Sequence, residues 1–192
     1  WSSDVCSSDL HLSYDAFTAE LQTIRYRNGA IHGYSSRLHY FSDWIHDNQK
    51  KGIVKNLTKE LGGIPYKKTI DFMTTHRGIY PGLSDDSTYS YMKSIEDSIN
   101  TRQMYFIPKL SIVNCQSQIV NGDLIAITTN REGLDISHVG IAVRMDDGSL
   151  HYMHAPDIKG VVKISEQPLI EMLAGHSDQT GIMIVRIMTE KE

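Results

Sequence analysis

Residues 122–156 read GDLIAITTNREGLDISHVGIAVRMDDGSLHYMHAP, and the punctuation of this stretch decides the fold. Three short apolar runs, Asp123–Thr129, His138–Met145 and Ser149–His154, are separated by segments rich in Gly and Asp. Runs of that length, dominated by Ile, Val and Leu and bounded by turn chemistry, predict consecutive antiparallel strands. The link Met145-Asp-Asp-Gly-Ser149 carries the Asp-Gly pair of a tight hairpin, because Gly tolerates positive φ. His138 opens the middle strand and His154 closes the next. In a hairpin the start of one strand lies beside the end of its neighbour, so the two imidazoles are expected side by side.

Outward from this centre, Tyr105–Val113 with Pro108 predicts an edge strand, since Pro cannot donate to a ladder. Gly160–Ile164 and Gly181–Ile187 predict two more strands, with a helix capped by Ser165 and running through Leu173 between them. Upstream the period changes to that of helices. Leu12–Arg25 has Ser13 as N-cap, Leu12 and Phe17 placed as a hydrophobic staple, and Phe17, Leu21 and Ile24 on one face. Asn28-Gly29 ends it. Ser35 or Ser36 is expected to cap a second helix to about Asn48, with Leu38, Phe41 and Ile45 buried. Arg37, Tyr40 and Trp44 then share another face, and His39 and Asp43 sit one turn apart. Aromatic rings offer flat surface to a sugar, and Arg grips a carboxylate.

Between Lys50 and Asn100 the pattern weakens. Lys55–Leu61 predicts a short helix or strand ended by Gly62-Gly63, and Asp71–His76 a short helix or turn. A helix started by Ser87 or Ser90 runs to about Asn100, with Tyr91, Ile95 and Ile99 on its apolar face and Lys93, Glu96 and Asp97 solvated. Helices first and strands later point to an α+β fold, with N-terminal helices packed on a mainly antiparallel sheet.

Two paired histidines can act as a general base and the group that orients it. A metal-dependent hydrolase would need a third ligand, with Asp135 or His151 as candidates. His151 lies three residues from His154, so on a regular strand it points to the opposite face.

Ser-His-Val-Gly-Ile-Ala (137–142) followed by Leu-His-Tyr-Met-His-Ala (150–155) resembles the histidine half of the NlpC-type, papain-like cysteine hydrolases of bacterial cell walls. Ile24-Arg-Tyr-Arg-Asn-Gly29, Arg37-Leu-His-Tyr-Phe-Ser-Asp-Trp-Ile45, Gly122–Thr129 and Gly133-Leu-Asp135 narrow the resemblance to the N-acetylmuramoyl-L-alanine amidase-like family. It runs from about residue 12 to about residue 187. The resemblance implies a papain-like fold in which His138 is the catalytic base and His154 its orienting partner. It implies cleavage between N-acetylmuramic acid and L-alanine in peptidoglycan fragments, without a cofactor or metal. Arg25, Tyr26, Arg27, Arg37, His39, Tyr40 and Trp44 become candidates for binding the muropeptide, and a periplasmic or cell-envelope location is expected. A non-catalytic muropeptide-binding module of the same fold is the rival.

The 192 residues, 40% hydrophobic and 22% charged, suit one soluble domain. A net charge of −4 offers no electrostatic case for nucleic acid, and no apolar run approaches the roughly 20 residues of a membrane helix.

Residues 1–10, Trp-Ser-Ser-Asp-Val-Cys-Ser-Ser-Asp-Leu, match one reading frame of a common sequencing adapter codon for codon. They are expected to be foreign to the gene, leaving 11–192 as a single amidase-like domain without its N-terminal nucleophile helix. The family's nucleophile sits in an Asp-Cys-Thr-Thr-like helix start, which neither Cys6 nor Cys115 matches. Cys115 reads as a small buried apolar residue. Amplification across codon 11 from source DNA is expected to return a different upstream sequence. Recovery of the same ten codons would overturn the assignment and restore Cys6 as a candidate.

Overall fold

The computed structural model describes residues 13–156 and 160–188. The expectations for residues 1–10 and for the Leu12 half of the staple lie outside these. The chain folds into two compact units, each built from segments that are separate in sequence. One takes the chain up to Lys51, Lys68–Arg102 and Glu132–Asp135; the other takes Gly52–Lys67, Gln103–Arg131 and the chain from Ile136. All strands among the described residues fall in the second.

The second unit is an eight-stranded, wholly antiparallel sheet. In chain order its strands are β1 (Val54–Asn56), β2 (Ile64–Pro65), β3 (Tyr105–Pro108), β4 (Leu124–Thr129), β5 (Ile136–Arg144), β6 (Leu150–His154), β7 (Lys163–Ile164) and β8 (Gln179–Ile187). The spatial order is β2-β3-β8-β4-β5-β6-β7, with β1 beside the other end of β8. β4 lies between β5 and β8, and every residue of Leu-Ile-Ala-Ile-Thr-Thr is buried. A strand covered on both faces needs such an unbroken run. Its threonines stay paired, Thr128 Oγ1 with Thr180 Oγ1 at 2.8 Å and Thr129 Oγ1 donating to the Asp178 carbonyl at 3.0 Å. One face of the sheet packs Ile125, Ile127, Leu150, Tyr152, Ile182 and Ile184 against Ile112 and a short helix, Leu169–Ala174. Cys115 joins this core, where burial pushes its thiol up from the ordinary range.

The three central strands are those expected. Pro108 ends β3, which pairs on both sides, so β3 is not an edge strand. The helix after Ser165 begins only at Leu169, because the Ser165 hydroxyl is drawn into the sheet, accepting from Tyr152 N at 3.3 Å.

The first unit is helical: α1 (Tyr14–Arg25), α2 (Phe41–Lys50), α3 (Phe72–Thr75) and α4 (Asp86–Asn100), with the Leu169–Ala174 helix of the sheet unit becoming α5. The Ser13 hydroxyl caps α1 as its sequence predicts. The start of α2 differs. Arg37 pairs with Tyr26 in an antiparallel bridge and Leu38 N donates to the Arg25 carbonyl at 3.0 Å, which holds this segment extended. Neither Ser35 nor Ser36 caps it, and Arg37 and His39 lie off the helix. The N-terminal Ser42 N–H donates instead to Asp135 Oδ2, 2.8 Å away and 93 residues later in sequence. The cap is tertiary. On α4 the cap is Asp85, accepting from Thr88 N, and the buried stripe is Met92, Ile95, Glu96 and Ile99 rather than one containing Tyr91.

Glu96, expected in solvent, is 1% exposed. Its carboxylate accepts from the Tyr40 hydroxyl at 2.6 Å, from Thr74 N at 3.1 Å and from the Thr74 hydroxyl. A buried carboxylate is sustained by such donors. Asp43 is likewise buried between Arg27 and Arg102, 2.6 and 2.7 Å away. Burial pushes its carboxyl up, but the two guanidiniums outweigh this and hold it below the ordinary range.

Replacing Asp135 tests the tertiary cap. Asp135→Ala leaves the Ser42 N–H at the N-terminus of α2 without its acceptor and is expected to cost about 1–2 kcal/mol, the usual range for losing a helix cap. Asp135→Asn keeps an acceptor and should cost less. Urea denaturation followed by circular dichroism measures both; equal midpoints for all three proteins would show that the contact carries no stability.

Candidate functional site

The β5–β6 hairpin places the histidines. Ile141 pairs with Met153 and Ala142 with Tyr152, and the two-residue repeat of a strand then sets His138, Gly140, Ala142, Tyr152 and His154 on one face. His138 Nε2 lies 2.9 Å from His154 Nδ1, with the rings perpendicular. The expected side-by-side arrangement is present. Beneath it, the Tyr152 ring, 3% exposed, packs against His154 at 4.4 Å between centroids with the planes tilted by 32°, and meets His138 edge-on at 6.2 Å.

Gly140 makes room for that ring. A Cβ there would lie 2.3 Å from Tyr152 Cδ2 and 2.8 Å from the Met153 carbonyl oxygen. Sequence reasoning misses Gly140 and Tyr152, although a signal exists for both. They are two residues from His138 and His154 respectively, on the shared face.

The pair opens on a cleft of about 530 Å³ in the sheet unit. Arg131, Lys163, Gln179 and Met172 line it with the histidines. Lys163 Nζ is 3.2 Å from Glu166. Burial lowers the basicity of His154, helped by charge on His138 and by the Lys163 ammonium. His154 is therefore neutral at neutral pH and suited to orient its neighbour rather than to carry the proton.

The third metal ligands that the sequence offers are engaged elsewhere. His151 Nδ1 is 2.7 Å from the Ser165 carbonyl and its Nε2 is 3.1 Å from the Ser149 hydroxyl. Asp135 holds Ser42 N in the helical unit. Among the described residues no three His, Cys, Asp or Glu side chains gather as a metal site.

The muropeptide-binding candidates all lie in the helical unit. Tyr26 and Arg37 face each other across the bridge, and Arg37 is exposed. Arg25 ends α1 half-buried, and Arg27 is fixed on Asp43. His39 donates from Nε2 to the Tyr34 carbonyl at 3.0 Å, while burial lowers its basicity. Tyr40 and Trp44 are 3% and 5% exposed. Their area goes to the core: the Tyr40 hydroxyl donates to Glu96 and accepts from Met73 N, and Trp44 stacks on Phe41 at 4.9 Å.

A family profile described as AmiA-like, N-acetylmuramoyl-L-alanine amidase-like, matches residues 3–182. The chain belongs to this family. An N-acetylmuramoyl-L-alanine amidase from Bacteroides uniformis is 37% identical over 93% of this chain and 76% of its own, with a TM-score of 0.88. A Bacteroides fragilis protein, named by conjecture a xylanase, is 33% identical over 97% and 84%, with the same TM-score. Protein LPG0564 of Legionella pneumophila shares the fold alone, at 24% identity over 93% and 71% and a TM-score of 0.65. No curated protein matches. Membership supports hydrolase activity on peptidoglycan amides at the level of the family. Among the described residues no helix is long and apolar enough to cross a membrane.

The electrostatics of the pair are open to titration. His154 should gain its proton with a midpoint below the ordinary 6.5 of an imidazole. His138→Gln removes one neighbouring charge and should raise that midpoint without restoring 6.5, since burial is the larger cause. The folded value is depressed, so the unfolded chain binds the proton first. Stability from His154 is full above about pH 6.5 and falls as the pH drops through the folded value. NMR titration of the ring protons measures it; a midpoint at or above 6.5 would refute the assignment.

Proposed function

We propose that the chain is part of a papain-like, NlpC-type cysteine amidase. It hydrolyses the amide between the lactyl group of N-acetylmuramic acid and L-alanine in peptidoglycan fragments. The observation that carries this reading is the 2.9 Å contact between His138 Nε2 and His154 Nδ1 at the mouth of a cleft. With Nε2 turned to His154, proton exchange with a thiol runs through Nδ1 of His138. The thiolate attacks the carbonyl carbon, and imidazolium His138 returns the proton to the departing L-alanine nitrogen. A thioester remains on the lactyl carbon. Water, deprotonated by His138, then releases the carboxylate and the thiol.

The nucleophile in this reading is a cysteine of the intact gene product that precedes residue 11. Cys115 is unsuited, because it is buried in the core, donates to the Ile112 carbonyl and has a raised pKa. Cys6 belongs to the adapter-like segment. Residues 11–192 are then the larger part of one amidase domain, and the substrate places its work in the periplasm or cell envelope. Arg25, Tyr26, Arg37 and His39 remain the candidates for muropeptide contact, being less covered than Tyr40 and Trp44. A glycosidase reading, prompted by the xylanase name, would require two carboxylates flanking the scissile bond. The side chains that meet here are imidazoles.

Product release from one N-acetylmuramoyl-peptide, followed by mass spectrometry, tests the reading. The intact gene product should free the peptide. Its His138→Ala variant should lose about a hundred- to ten-thousandfold in rate, the usual range for a general base, while staying folded. The 192-residue chain by itself should be inactive. Binding without hydrolysis by the intact product would favour a non-catalytic module. Turnover by the 192-residue chain that disappears with Cys6→Ala would overturn the assignment of the nucleophile.

A further inference from the structure

The cleft beside the histidine pair holds a polar group that the proton transfer does not use. Gln179, the first residue of β8, lines it. Its Oε1 is buried and has no hydrogen-bond partner. A buried acceptor left unpaired carries the cost of its lost water, and an apolar side chain of the same length would cover this wall without that cost. A ligand that donates to Oε1 recovers it.

The backbone aims this side chain. On β8, Gly181 pairs with Thr128 but Gln179 with Thr129, so Thr180 is an extra residue between them. On β5, His138 pairs with Ile127 but Ile136 with Thr128, so Ser137 is extra at the same level of the sheet. Strict alternation from Ile182 would turn Gln179 away from the core that Ile182 enters. The extra residue returns it to that face, which also carries His138 and His154. Shifts of this kind re-aim side chains and recur beside active sites.

The chemistry of a carboxamide selects the ligand. It offers an acceptor and a donor side by side, and the last torsion of glutamine is broad and two-fold, so either end can turn to the cleft. One residue of an extended chain presents its N–H and C=O on the same side, as in the hydrogen-bonded pairs of an antiparallel ladder. Gln179 can therefore hold an extended peptide as a neighbouring strand would. The charges around it have both signs: Lys163 is paired with Glu166, and Arg131 and Asp178 are exposed. They favour neither an anion nor a cation, which leaves the backbone as the group recognised. β4 separates β5 from β8, so the backbones of His138 and Gln179 are about 10 Å apart. Allowing for the glutamine side chain, that gap is spanned by one or two extended residues at ~3.3–3.6 Å each.

We propose that Gln179 is a positioning residue that seats the peptide half of the substrate in extended form, its carboxamide exchanging two hydrogen bonds with the N–H and C=O of one residue. Recognition of an extended backbone comes from Gln179 itself; the choice of a peptide that begins with L-alanine rests on the amidase reading above.

The test is a titration of the full chain with N-acetyl-L-alanyl-glutamate, followed at the side-chain amide protons of Gln179, which are identified by their loss in Gln179→Met. These signals should shift and saturate. Two analogues, in which an ester oxygen replaces the N–H of the alanine or of the glutamate, locate the contact. One of them should bind about three- to tenfold more weakly, the usual worth of a neutral hydrogen bond, whereas Gln179→Met should bind all three peptides alike. Methionine keeps the length of the side chain and removes an unpaired group, so the variant should melt no lower than the parent. Unmoved Gln179 signals, equal binding of the three peptides by the parent chain, or the same ester penalty in Gln179→Met would overturn the proposal. So would an equal shift of these signals with N-acetylmuramic acid alone. Peptide release by the intact gene product is measured separately, where Gln179→Met should raise KM and leave kcat. Hydrolysis with an unchanged KM refutes only the role of Gln179, and peptide bound here without hydrolysis refutes only the amidase reading.

Discussion

The register between β5 and β6 is the constraint on which the site depends. Side chains alternate along a strand, so a slip of one residue would carry His138 to the opposite face from its partner. Two things prevent the slip. In the turn, Met145 N donates to the Ser149 carbonyl at 3.0 Å, Gly148 N to the Met145 carbonyl at 2.9 Å, and Asp147 Oδ1 accepts from Ser149 N at 2.8 Å. In the sheet, Ala142, Leu150 and Tyr152 belong to the same buried core as Ile125 and Ile127. A shifted hairpin would expose that apolar surface to water, at about 25 cal/mol for each Å². The packing of the core thus enforces the meeting of two polar rings at its end.

In both units, carboxylates join segments that are distant in sequence. Asp123 receives Arg186 at 2.7 Å and also Val120 N at 2.9 Å, tying a loop to β8 within the sheet unit. In the helical unit Asp43 gathers Arg27 and Arg102, Asp135 holds the start of α2, and Glu96 collects Tyr40 and both donors of Thr74. Each of these acids is almost wholly buried. Removing one partner of a buried charge leaves the other unsatisfied, so these contacts specify the arrangement of segments more than they add to its stability.

This explains what was legible in the sequence. Local patterns carried the hairpin, its turn, the α1 cap at Ser13 and the meeting of His138 with His154. All depend on residues close in sequence or on a strict two-residue repeat. The errors fell where long-range contacts overrode local signals. Ser35 and Ser36 look like caps, yet the bridge between Tyr26 and Arg37 holds the following residues extended. Glu96 looks solvated on a helical wheel, yet a tyrosine 56 residues away donates to it. Tyr91 and Met92 exchanged places because a one-residue rotation of a helical stripe is decided by the partner surface. Nothing in the sequence near α2 announces Asp135.

The neutrality of His154 bears on how the proposed base would work. A carboxylate in its place would stabilise imidazolium at His138 strongly and make the proton harder to return. A neutral imidazole stabilises it through one hydrogen bond and no net charge. Burial, with charge on His138 and the Lys163 ammonium, holds the basicity of His154 below that of a free imidazole. In the proposed mechanism, His138 would hold the proton between thiol and leaving amine, while the hydrogen bond to His154 would keep the ring from turning. Tyr152, packed at a tilt against His154, restrains that ring in turn, and Gly140 supplies the space the Tyr152 ring needs. On the proposed mechanism, a small residue at position 140 and an aromatic at 152 would serve the proton transfer through two layers of packing.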